Sequence, residues 1–172
     1  QRNTVYRQKT WMVPMISRNM LIALQDREKF LKNALTPMSF FGVKTALLYV
    51  FRNPVEYNIE KGWEFPNAIY LVARQDGERV EVFDEYKNEV SLEKCGFFEE
   101  GSARYQHKPS VFCLQSGSTQ YGVLSVEITP EEVDMVYLIS IQMANALMAY
   151  HTEKKRLSVQ RERELLLEEL RS

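Results

Sequence analysis

The period of the apolar positions in this chain changes from helical to alternating and back. From Ser17 to Leu35 they recur at three- and four-residue steps (Met20, Leu21, Leu24, Phe30, Leu31, Leu35), with Asp26, Arg27, Glu28, Lys29 and Lys32 elsewhere. That spacing predicts one amphipathic helix with Ser17 as its N-cap, ended or bent at Pro37. Trp11-Met-Val-Pro-Met15 reads as an apolar anchor before it, and Gly42 closes the connection after it. From Val43 to Arg52 both parities are apolar: Val43, Leu47, Tyr49 and Phe51 on one, Ala46, Leu48 and Val50 on the other. A strand greasy on both faces belongs in the middle of its sheet. Asn53-Pro54 is expected to break it, leaving 55–66 as a loop or lid. Asn67–Gln75 repeats the strand pattern, Asp76-Gly77 marks a hairpin turn, and Arg79–Phe83 is the return strand. Residues 84–108 hold no period and read as an irregular surface segment with one short helix. Pro109–Gln115 and Thr119–Ile128 form a last hairpin around Ser116-Gly117-Ser118.

Thr129-Pro-Glu-Glu132 then carries a capping box and a proline at the first helical position. Neither proline nor glycine follows before Ser172, so the predicted helix runs to the end, ~60 Å at ~1.5 Å per residue. Its first half is apolar on most sides. From His151 it is mostly Glu, Lys and Arg, with Leu157, Val159, Leu165, Leu166, Leu167 and Leu170 among them. A helix that starts as core and leaves as a charged rod joins two bodies. The leucines favour a two-helix coiled coil, in an imperfect heptad register, over a solvated single helix. The whole predicts an α+β fold: an antiparallel sheet with N- and C-terminal helices packed on one face and a long C-terminal helix.

Composition sets the limits of this picture. At 172 residues and 45% hydrophobic content the chain is one domain's worth with a full core. We divide it into an N-terminal linker or anchor (1–15), a folded domain (16–150) and an exit helix (151–172). Lys and Arg number 22 against 23 Asp and Glu, a balance that points to neither nucleic acid nor membrane as partner. No uninterrupted apolar run approaches a membrane span. Two cysteines, Cys95 and Cys113, suit a reducing cytoplasm and are too few for a disulfide framework or a zinc site. Beginning at Gln1 and stopping inside a helical pattern, the chain is expected to be a piece of a longer polypeptide, with an output domain covalently attached.

Chemistry-bearing motifs are sparse. There is no phosphate-binding glycine loop, no H-E-x-x-H, no C-x-x-C and no G-x-S-x-G, so no catalytic residue, metal site or cofactor is assigned. His107 reads as loop decoration, His151 as solvated, and Cys113 as a strand thiol; Cys95 is the more accessible of the two cysteines. Tyr49, Phe51, Tyr70 and Tyr121 lie on strands and either fill the core or line a pocket between the sheet and the irregular segment. Trp63 is a lid or a hydrophobic plug. Arg74 pairs with Glu127 or holds an anionic ligand. Leu157, Leu165, Leu166 and Leu170 are the residues of a dimeric signalling helix.

Three phrases carry a family resemblance: Trp11–Leu21, Phe41–Phe51, and Tyr121–Ile128 followed by Leu138–Leu147. They are similar to GAF-like sensor domains of bacterial signalling proteins, most like those preceding a GGDEF (diguanylate cyclase) domain. The resemblance implies a small ligand or partner domain over the sheet and a change passed along the final helix. Any cyclase activity would reside in the attached output domain. The resemblance also implies one alternative, a cysteine-dependent reductase of free methionine sulfoxide; apart from it stands another, a structural dimerisation spacer without ligand.

Overall fold

The computed structural model describes residues 11–95 and 109–172. The expected first helix is two helices. Helix α1, Pro14–Leu21, has its proline in the first turn, and Ser17 lies inside it, donating its hydroxyl back to the Pro14 carbonyl at 3.2 Å. Asp26 is the working N-cap: its backbone is extended and its carboxylate accepts from the Lys29 N–H at 3.2 Å, starting α2, Arg27–Leu35. The Asn33 side chain donates to the Asn19 carbonyl at 2.7 Å and ties the two helices together. The anchor ahead of them is only partly an anchor. Val13 is buried, whereas Trp11 is 86% exposed and Met12 and Met15 face outward.

Six strands follow: β1 Thr45–Glu56, β2 Ala68–Asp76, β3 Arg79–Val82, β4 Glu89–Ser91, β5 Ser110–Ser116 and β6 Thr119–Glu127. All pairings are antiparallel in the order β3-β2-β1-β6-β5, and β4 adds to β2 beside β3. Strand β1 is central, as its two apolar parities require. It does not stop at Asn53-Pro54: its ladder with β6 loses register after Val50 and resumes at Val55 opposite Gln120. The proline occupies that irregularity, where no ladder N–H is demanded of it. Strand β4 lies within the segment expected to be irregular; three residues are too short to show an alternation.

The two parities of β1 feed two cores. Ala46 and Leu48 join Phe30, Leu35, Leu114, Leu124, Val126, Ile139 and Met143 beneath the helices. Leu47, Tyr49 and Phe51 join Val55, Ile69, Cys95 and Val123 on the opposite face, with Trp63 packed against them. Buried Gln75 braces the end of β2, donating to the Val43 carbonyl just before β1 and to the Gly77 carbonyl in the turn after β2, at 2.7 Å each.

The capping box forms as expected, with the Thr129 N–H donating to Glu132 Oε2 at 3.2 Å, and one 3-10 turn leads into α3, Val133–Arg171. This is 39 residues of unbroken helix. Met135, Val136, Ile139, Met143, Ala146 and Leu147 are buried against the sheet and α1. From His151 onward every side chain but that of Glu153 is exposed. By length and composition the helix from Pro130 to Arg171 is apolar enough to cross a membrane, but the buried side of that apolar stretch is already packed in the core.

Candidate functional site

Where α3 clears the sheet, its Tyr150, His151 and Lys154 face α2 and the turn after β3 across a cavity of about 70 Å³. The floor is apolar, made by Phe30 and Leu31 of α2, Val50 and Val72 of the sheet, and Leu147 of α3. Phe30 and Tyr150 stack at 4.7 Å between ring centroids, which fixes α2 against α3 at this level. The rim is polar and mostly cationic: Arg27, Arg52 and Lys154 against the single carboxylate of Glu85.

Tyr86 organises the rim. It takes a left-handed backbone at φ 58, which a bulky residue adopts only when its surroundings hold it there. They do. Its ring meets Tyr70 edge-on at 5.2 Å, the Arg52 guanidinium lies 4.8 Å from its centroid, and the Lys154 ammonium lies 5.7 Å away. Lys154 also closes an ion pair with Glu85. Burial works against the Glu85 charge, but the hydrogen bond and charge of Lys154 outweigh it and hold the carboxyl below its ordinary value. For Lys154 the same balance runs the other way: burial lowers its pKa, and Glu85 more than restores it, so the ammonium titrates higher than usual. Burial pushes the Tyr86 and Tyr150 hydroxyls up. His151 is pulled down, first by burial and then by the charges of Lys155 and Lys154, which favours its neutral form. The expected solvated histidine thus stands at the lip of the cavity, its ring 6.1 Å from that of Tyr121.

The opposite face of the sheet carries a run of aromatic contacts. Phe51 stacks with Phe65 at 5.8 Å, Phe65 with Trp63 at 5.9 Å, and Trp63 meets Tyr57 edge-on at 5.2 Å. Trp63 therefore closes the outer core as a plug. Beside it a shallow groove of about 580 Å³ runs between Arg52–Glu56 and Glu64–Pro66 and reaches Tyr70.

The six residues expected to bind a ligand are not brought together. Phe51 and Tyr121 border the cavity, Tyr70 borders the groove, and Tyr49 and Trp63 belong to the outer core. Arg74 pairs with Glu81 on the neighbouring strand at 2.8 Å and packs over Phe83, rather than pairing with Glu127. The β2–β3 register places Arg74 directly opposite Glu81, and that closeness decides the partner. Cys95 is buried and Cys113 exposed, the reverse of the accessibility expected, and neither is in a disulfide. Burial raises the Cys95 thiol, which weakens it as a nucleophile. His107 and most of the irregular segment lie outside the described residues. Among the described residues no cluster of His, Cys, Asp and Glu could hold a metal ion.

Alone, the exit helix leaves its leucines exposed, Leu166 at 59% and Leu170 at 83%. They are not all on one side. Leu138, Ile141, Met148, Val159, Leu166 and Leu170 share one face, whose three- and four-residue steps are completed by the polar Asn145, Thr152, Lys155 and Arg163. That stripe lies opposite the buried side of α3. Leu157 instead continues the line of Met143 and Tyr150, and Leu165 that of Leu147 and Lys154, the side that faces the core lower down.

Compared with known proteins, the chain matches no family model and no curated protein.

Proposed function

We propose that this chain is a GAF-like regulatory domain of a cytoplasmic protein, non-catalytic by itself and paired with a second copy along α3. In this reading, contact with a small ligand or partner domain favours one arrangement of the two exit helices, and the rods carry that preference to an attached output domain. A GGDEF diguanylate cyclase is the output we favour, on the sequence phrases shared with domains that precede one. A ligand that distinguishes two arrangements by ~1–3 kcal/mol changes output about five- to a hundredfold.

One observation carries the reading: α3 is a single helix whose first half is core and whose second half stands exposed, with apolar residues on the same outward face in both halves. Trp11, Met12, Met15 and Ile22 add exposed apolar surface beside it, on or next to a helix that packs against α3. Surface of that kind is covered in stable assemblies. Light scattering on the purified chain tests it: a mass of two chains is expected, and one chain across the micromolar range would remove the proposal.

The filled outer face favours a second reading, a dimerisation spacer without ligand, because Tyr49, Phe51 and Trp63 already occupy the space a ligand would need there. Native mass spectrometry separates the two by whether a small molecule travels with the dimer.

A further inference from the structure

The cavity at the root of α3 has an unbalanced charge and an unanswered donor. Arg27, Arg52 and Lys154 face one carboxylate, and Glu85 is already committed to Lys154. Nη2 of Arg27 is buried and has no hydrogen-bond partner among the described residues. A buried N–H donor is costly unless something accepts from it, so such a group in a cavity wall points to an acceptor that the fold itself does not provide. Opposite that rim the floor is hydrocarbon and aromatic. A volume of about 70 Å³ holds several waters or one compact organic group, and is too small for a nucleotide.

We propose that this cavity binds a small carboxylic acid, its carboxylate held by Arg27 and Arg52 and its short apolar body seated on Phe30, Val50, Val72 and Leu147. Guanidinium groups suit the choice because their paired N–H groups match the two oxygens of a carboxylate. The apolar floor favours a hydrocarbon-bearing acid over inorganic phosphate, which would gain nothing from it. Binding does not require the paired-helix relay and can be read on a monomer as well as on a dimer. An effect of the acid on the rods does rest on that reading. Tyr150, His151 and Lys154 line the cavity at the point where α3 becomes solvent-exposed, so an occupant touches the helix at its exit.

Titration calorimetry with benzoate and isovalerate as probes, and with benzamide and inorganic phosphate as controls, tests the site on the whole chain. Saturable binding of at least one acid is expected, with neither control binding within tenfold of it. Arg27→Gln should weaken that binding at least tenfold and Arg27→Lys by less. Arg52 also holds Tyr70 and Tyr86, so Arg27 is the cleaner variant. The wild type supplies an independent readout, since the Arg27 side-chain Nε–H resonance should shift on adding the acid. No saturable binding of either acid, phosphate binding as tightly as the acid, or Arg27→Gln binding as well as wild type would each overturn the proposal.

Discussion

Lys154 at the root of the exit helix pairs with Glu85 in the turn after β3, 69 residues earlier in the chain, and so ties the rod to the far edge of the sheet. The partners keep 49% and 38% of their side-chain surface exposed, so solvent and salt screen the attraction. Lys154→Met should therefore cost only about 0.2–1 kcal/mol in urea unfolding, less at high salt. Glu85 titrates below its ordinary value of 4.5 in the folded chain. Its stabilisation is present above that value and is lost as pH falls through the folded pKa. Lys154 titrates above its ordinary 10.5, so its share holds below that value and goes as pH rises past the folded pKa. Wild type minus variant should show this difference narrowing at both ends. A difference flat from pH 3 to 7 would mean the pair does not form in solution.

The two sides of the exit helix give the dimer proposal a sharper test than its leucines taken together. Leu166→Glu with Leu170→Glu changes the stripe opposite the core-facing side and should halve the mass seen by light scattering. Leu157→Glu with Leu165→Glu adds the same charge on the other side and should leave the mass unchanged. Equal loss from both pairs would mean that the partner does not lie along this stripe.

Gly122 sits in β6 where β1 passes closest. A Cβ built on it would lie 2.0 Å from the Tyr49 carbonyl oxygen, which is main chain and cannot swing aside. Gly122→Ala must push the two central strands apart, and a loss of about 3 kcal/mol or more is expected. Gly77→Ala meets open space and only the strain of its φ of 63, so about 1–2 kcal/mol should be lost there. Thermal unfolding of the two variants should rank them in that order.

Residues that meet their neighbours through a repeating local period are legible in the amino-acid sequence. The alternation along β1 separates Ala46 and Leu48 from Leu47, Tyr49 and Phe51, and those sets build the two cores. The Thr129–Glu132 box marks where α3 begins. Signals without a period are lost. Asp26 reads as one more charge off an apolar face, because a cap is recognised by the break it follows, and apolar residues continuing in step hide that break. Strand β4 has too few residues to alternate. The cavity is invisible in sequence for a different reason: Arg27, Arg52, Glu85 and Lys154 come from α2, β1, a turn and α3, and each alone is an ordinary surface charge. Only the Phe30–Tyr150 stack and the crossing of α3 over the sheet bring them within reach of one another.

The cysteines separate by position in the sheet rather than by sequence neighbours. Cys113 lies on β5, an edge strand, with its side chain exposed. Cys95 ends the 3-10 turn after β4 and is buried in the outer core, where burial first, and the nearby Cys113 to a lesser degree, raise its thiol; a backbone hydrogen bond only partly opposes them. Alkylation needs both the thiolate and a path to it. Iodoacetamide at pH 8 should therefore modify Cys113 at least ten times faster than Cys95, followed by mass spectrometry of the digested protein. In Cys113→Ser the remaining thiol should react at a rate set by local opening, rising with urea well below the global midpoint if the turn opens alone. Cys95 reacting as fast as Cys113 in native buffer would show that the outer core around it does not stay closed.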